Sequence, residues 1–192
     1  MARPSMAAQR KEEILDALEA CILAHGIQAT SLENIADKAG VKRTILRHYI
    51  GNRDDIICAL SSRWSLKYTA QWQELLSWLP TNNRVEALID SLFTISSREQ
   101  VDATIIGEEL FSEAKRLPQV KKDQETIMEE FIKYTVEILI SDFPEAEQKT
   151  VELVSYGIYA NYVLAESYLP LKLVDQVHKL KLSSKLLCST LG

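Results

Sequence analysis

The sequence predicts an all-α fold, and three observations carry that reading. Apolar residues recur at i, i+3 and i+4 through most of the 192 residues, and no segment alternates with the period of two that marks a strand. Gly 6 and Pro 5 are too few for the ring of tight turns that sandwiches and barrels need. The glycines and prolines that do occur fall mainly between periodic segments, as helix stops.

Taken in order, Ile14, Leu15, Leu18, Cys21 and Ile22 define a first helix that stops at His25-Gly26. Thr30 with Glu33 three residues on reads as a capping box, opening a second helix with Leu32, Ile35, Ala36 and Ala39 and ending at Gly40. After only Gly40-Val41, a third helix of two turns runs from about Lys42 to Tyr49. Gly51-Asn52 breaks it, and Asn52 caps a fourth whose first turn holds Asp54 and Asp55, which suit the helix dipole.

Beyond Asp55 the helices lengthen. Ile56, Leu60, Trp64, Tyr68 and Trp72 form an i, i+4 stripe running to Leu79, stopped by Pro80. Asn82 or Asn83 is expected to cap the next helix, with Val85, Leu88, Ile89, Leu92 and Phe93. Another spans about Val101 to Leu117 and ends at Pro118; Ile127, Met128, Phe131, Ile132, Thr135, Ile138 and Leu139 mark a further one before Pro144. The last two run from about Glu145 to Leu169 and from about Leu173 to Leu191, separated by Pro170. The expected division is residues 1–53 as a small head, with the fourth helix connecting from about 53, and 54–192 as a larger bundle.

Composition excludes several classes. Hydrophobic residues at 46% and charged ones at 26% describe a chain with a core rather than a disordered one. No apolar run approaches the ~18 residues of a membrane span, and the N-terminal residues carry no apolar signal core. Three cysteines without ligand spacing predict a reducing, cytoplasmic setting and no metal knuckle. The net charge of −5 conceals an uneven distribution. Residues 38–53 hold Lys38, Lys42, Arg43, Arg47 and Arg53 and no acid, so a locally basic head sits on an acidic chain.

Two short helices joined by such a turn form a helix-turn-helix, whose second helix can enter the major groove of DNA. Ile35, Val41 and Leu46 would anchor the pair to the first helix, while Ala36 and Ala39 allow close approach. The other face of the third helix then shows Lys42, Arg43, Thr44, Arg47 and His48, all able to bond bases or phosphates. Thr30 and Ser31 open the second helix with hydroxyls and amides suited to a phosphate.

The run from Gly26 through Thr30-Ser31, Ile35-Ala36, Ala39-Gly40-Val41, Leu46, His48-Tyr49 and Arg53 resembles the N-terminal domain of TetR-family transcriptional regulators, over about residues 8–57. Three positions depart from the family pattern. Arg47 stands where Tyr is common, Ile50 where Phe is common, and Lys42 where a small hydroxyl residue usually opens the recognition helix, so that cap must come from elsewhere. The resemblance implies double-stranded DNA as partner, read as a palindromic operator. Lys42, Arg43 and Thr44 are the expected base readers; Thr30, Ser31, His48, Tyr49 and Arg53 are expected to contact phosphate, with Arg47 open to either role. The arm residues Arg3, Arg10 and Lys11 read as solvated, with a backbone contact as the alternative.

One recognition helix reads too few base pairs for specificity, so a homodimer is expected. At about 100° per residue, Leu153, Gly157, Ala160, Asn161, Leu164 and Tyr168 share one face of the penultimate helix, joined by Val177 and Leu187 of the last as the expected dimer interface. The only polar strip of the penultimate helix is expected near Glu152, Ser155 and Glu166. The resemblance also implies a small apolar or amphipathic effector bound in the body. Trp64, Tyr68, Trp72, Glu108, Phe111, Phe131, Tyr134 and Tyr159 are its candidate contacts, with Glu109 as an alternative carboxylate.

No metal-protease, serine-hydrolase, P-loop or dinucleotide motif is present, so no catalytic residue, metal or cofactor is expected. A different class stays open at this point: a helical interaction or lipid-carrier module using the basic tail Lys172–Lys185. The favoured reading is an all-α DNA-binding repressor released by an effector, with no membrane partner.

Overall fold

A computed structural model describes residues 6–94 and 97–192, so Arg3 lies outside the described residues. Among these residues it contains nine helices and no strand: α1 Met6–His25, α2 Leu32–Lys38, α3 Arg43–Ile50, α4 Arg53–Trp78, α5 Arg84–Leu92, α6 Arg98–Glu113, α7 Pro118–Asp142, α8 Gln148–Tyr168 and α9 Val174–Cys188. Among the described residues, no helix is long and apolar enough to cross a membrane. No group of potential metal ligands forms among the described residues, and all three cysteines are free.

Several helix ends differ from the sequence reading, each for a local reason. The α2 cap is Ser31 with Asn34, one residue beyond the Thr30–Glu33 pair. The Asn34 amide N–H donates to Ser31 Oγ at 3.1 Å, and the Ser31 amide donates back to Asn34 Oδ1 at 2.9 Å. Pro118 opens α7 instead of merely ending α6, a position where its missing N–H costs nothing. Asn83 precedes α5 with φ 53° but caps nothing; the Val85 amide donates instead to Asp142 Oδ2 at 2.9 Å. Asn52 does cap α4, accepting from the Asp54 amide at 2.8 Å while Asp55 Oδ2 accepts from the Asn52 amide.

The chain packs as two compact units. The first runs to Leu66 and includes Ile105–Gln124; the second comprises Lys67–Thr104 and Glu125–Gly192. The second half of α6 and the start of α7 thus pack with the helix-turn-helix, which a division at residue 53 does not anticipate. The core of the first unit is built from Ile14, Leu15, Leu18 and Ile22 of α1, Ile35 and Ala36 of α2, Leu46 of α3, Ile56, Ile57 and Leu60 of α4, and Ile106 and Leu110 of α6. Trp64 packs on this cluster, and its indole donates to Glu19 Oε1 at 2.7 Å.

The second unit is centred on Phe131, fully buried with ring centroids of Trp72 at 5.3 Å, Tyr159 at 5.1 Å and Tyr162 at 5.4 Å. Val151, Val154, Ile158 and Ala165 face this core from α8. Ser155, expected on a polar strip, is fully buried and donates to the Ile132 carbonyl. Helix α9 lies against α8 and α5. Its Lys181 and Lys185 reach Asp90, each at 3.0 Å, so these tail lysines pair within the chain.

Candidate nucleic-acid interface

The geometry of the α2–α3 pair follows from its turn. Ala39 closes α2, Gly40 takes φ +66°, and the Val41 amide donates back to the Ala36 carbonyl at 3.0 Å. Lys42 is extended at the α3 N-cap with no side-chain bond, as its lack of a short hydroxyl requires. Gly51 then ends α3 at φ +98°, a conformation that side chains with a Cβ rarely adopt.

Leu46 is completely buried, and this single anchor orients the helix. Tyr49 and Ile50 are half-buried against the same cluster. The opposite face leaves Lys42, Arg43, Thr44, Arg47 and His48 exposed. Arg43 Nη1 meets Glu33 Oε1 at 3.0 Å, but both side chains are solvated, so the pair is weak enough to open for a stronger partner. Among the described residues, no hydrogen bond or ion pair engages the side chains of Lys42, Thr44 or Arg47. The His48 ring stands edge-on to Tyr49 at 5.4 Å. Arg10 pairs with Glu13 at 2.6 Å on the exposed face of α1, where Lys11 is also exposed.

Three residues expected on this surface are otherwise engaged. Thr30 is 2% exposed and its hydroxyl donates to the Gly26 carbonyl at 2.9 Å, closing the link between α1 and α2. Ser31 gives its hydroxyl to the α2 cap. Arg53 donates from Nε to the Thr30 carbonyl at 2.9 Å and from Nη2 to that of Ile27, which also accepts from the Thr30 amide at 3.3 Å, so its fork ties the link to α4. Ile45, 43% exposed on α3, was not among the expected contacts. Its apolar side chain gave no signal for the outward face, since adjacent helical residues such as Ile56 and Ile57 are both buried here.

The same link is held from α6. Glu109 Oε2 accepts from the Ile27 amide at 3.0 Å, and Gln28 Nε2 donates to Glu113 Oε1 at 2.5 Å. Arg116 bonds Asp54 Oδ1 at 2.8 Å and also pairs with Glu113. The Arg116 guanidinium beside Asp54 holds that carboxyl below the usual carboxylate range. Glu108 and Phe111 are exposed on the part of α6 that packs with the first unit, and Trp64 belongs to that unit's cluster. These three, with Glu109, therefore do not join the aromatic cluster of the body: Trp64 lies on the part of α4, and the others on the part of α6, that belong to the first unit.

That cluster retains Tyr68, Trp72, Phe131, Tyr134 and Tyr159, and adds Tyr162. Trp72 lies 6.4 Å from Tyr68 and 5.4 Å from Tyr134. Burial pushes the Tyr68 and Tyr162 hydroxyls well above their usual range. Glu166 accepts from Thr104 Oγ1 at 2.8 Å in the same unit.

The expected dimer face divides in two. Leu153, Ala160 and Leu164 are exposed, with Tyr168 half-buried. Gly157 instead faces α9, where an added Cβ would come within 2.6 Å of Leu187 Cδ1. Asn161 donates to Ser183 and Ser184 of α9, and Val177 is buried in the chain's own core. Gly157, Asn161 and Leu187 thus belong to the packing of α9 on α8. Tyr156, Val163, Leu182 and Leu186 are the exposed apolar residues that the sequence reading placed elsewhere or passed over.

Comparison with known proteins matches this arrangement. The family profile described as bacterial regulatory proteins, tetR family, matches residues 14–60, which contain the whole α2–α3 pair. No curated protein matches the sequence. Among solved structures, a TetR transcription regulator from Haloarcula marismortui superposes with a TM-score of 0.80 at 15% identity, covering 95% of this chain and 98% of that one. A transcriptional regulator from Rhodococcus sp. RHA1 gives 0.76 at 14%, covering 94% and 95%. The ketosteroid transcriptional regulator KstR2 of Mycobacterium tuberculosis gives 0.61 at 18%, covering 94% of each chain. At such identities the likeness establishes the fold. Residues 14–60 thus match the tetR family of bacterial regulatory proteins, on a chain whose fold is that of solved TetR regulators.

Proposed function

We propose that the protein binds a palindromic double-stranded operator as a homodimer and represses transcription until a small apolar or amphipathic effector releases it. The observation that carries this reading is the outward face of α3, where Lys42, Arg43, Thr44, Arg47 and His48 stand exposed around a buried Leu46. Lys42, Arg43 and Thr44 are the proposed base readers; Arg47, His48 and Tyr49 are the proposed phosphate or base-edge contacts. The second protomer is read as packing on the exposed stripe Leu153, Tyr156, Ala160, Val163 and Leu164 of α8 with Leu182 and Leu186 of α9, a patch too apolar for an isolated surface. The effector is read as displacing part of the cluster formed by Tyr68, Trp72, Phe131, Tyr134 and Tyr159.

The test is the pair Arg43→Ala with Arg47→Ala. Each base or phosphate contact of this kind carries about 1–3 kcal/mol, so affinity for a specific site should fall on the order of 100-fold. Helicity and oligomeric state should stay unchanged, because both side chains are exposed. Unchanged affinity in a folded double variant would remove α3 as the reading element.

A further inference from the structure

Helix α3 exposes one side chain that neither folding nor phosphate binding explains. Ile45 is 43% exposed and is a member of neither apolar cluster, while the adjacent Leu46 is completely buried. It does not serve helix formation either. β-Branched residues are weaker helix formers than Ala, Arg or Lys, and α3 has only eight residues over which to recover the difference. Its neighbours on the outward face are Thr44 and His48, so Ile45 belongs to the surface proposed above to meet DNA.

The chemistry of that surface restricts what an isoleucine can recognise there. It offers no donor to a phosphate and none to the N7 and O6 acceptors of a purine edge. The one apolar group presented in the major groove by the standard base pairs is the 5-methyl of thymine. A β-branched side chain already confined to one helical rotamer also loses little freedom when it meets that methyl. We infer that Ile45 reads a thymine 5-methyl in each operator half-site, making it a specificity-determining residue beside the polar readers. This inference rests on the proposed DNA-binding function.

The experiment uses the full-length protein and a duplex enriched from randomised DNA, with thymines replaced by deoxyuridine one position at a time, symmetrically in both half-sites. Loss of one methyl contact is worth about 0.8 kcal/mol, or about fourfold in affinity per half-site. The wild-type protein should show that loss at one thymine and much smaller effects at the others. Ile45→Ala should bind the thymine duplex more weakly and bind the thymine and deoxyuridine duplexes at that position equally. Should the alanine variant bind too weakly to titrate, Ile45→Val must show a reduced thymine preference at the same position. A wild-type protein indifferent to every replacement overturns the inference, as does a thymine preference that persists in full in the alanine and valine variants. In both cases specific binding survives, so the proposed function stands. If no duplex is enriched at all, the proposed function fails and this inference fails with it.

Discussion

Thr30, Ser31 and Arg53 hold the head together from within. All three carry groups that bind phosphate elsewhere, and sequence alone offers no way to see that Gly26, Asn34 and the carbonyls of Ile27 and Thr30 claim them first. Hydrogen-bonding capacity belongs to the residue type, whereas the partner is set by where the link between α1 and α2 comes to rest. A nearby ion pair shows the energetic scale. Asp54 sits in the first turn of α4, bonded to Arg116 at 2.8 Å, and both are substantially exposed. Solvent screening limits such a pair to about 0–1 kcal/mol, so Asp54→Asn should destabilise the protein by no more than that at pH 7. Because the folded-state pKa is lowered, this contribution is present in full above the unfolded value of about 3.9 and is lost as pH falls through the lower folded value. Urea unfolding of wild type and variant should therefore converge in acid; a gap unchanged at low pH would assign the loss to another cause.

At the scale of elements, helices were legible and their faces only partly so. Helix α3 could be oriented because Lys42, Arg43, Thr44, Arg47 and His48 mark a polar face opposite Leu46, and its exposed set matched the expected one except for Ile45. Helix α8 could not. It is apolar almost all round, so a 100° wheel gives several apolar faces, and its one expected polar strip misleads because Ser155 on it is buried. Gly157 and Asn161 consequently turned out to pack against α9, and the outward stripe lies one position round at Leu153, Tyr156, Ala160 and Val163. Helix ends were readable where a glycine set them. Gly51 closes α3 at φ +98°, and a Cβ there would collide with the Asp55 carboxylate that caps α4. Gly51→Ala should cost about 1–3 kcal/mol, through the strained backbone and the displaced cap together. Thermal unfolding measures this, and a neutral substitution would mean that the α3–α4 junction relaxes freely.

For the whole molecule, the division into compact units was the least legible feature. Periodicity shows where a helix runs but not which part of it joins which core. The segment Ile105–Gln124 packs with the helix-turn-helix through Ile106, Leu110, Leu117 and Val120, and through the Glu109 bond to the Ile27 amide. Assembly is the other property of this scale. Leu153 and Leu186 are 63% and 69% exposed, so Leu153→Glu with Leu186→Glu should leave the protomer folded. Sedimentation should then find monomers, and operator affinity should fall with the loss of the second head. A dimer that survives both charges would place the interface on another surface.

The central claim, that α3 of two protomers reads DNA, is tested most directly by selecting bound fragments from randomised duplexes with the purified protein at about 150 mM salt, where non-specific binding is weak. The account predicts an enriched palindrome whose half-sites lie about one helical turn, ~34–36 Å, or a multiple of it apart. Fragments with no shared sequence would contradict it.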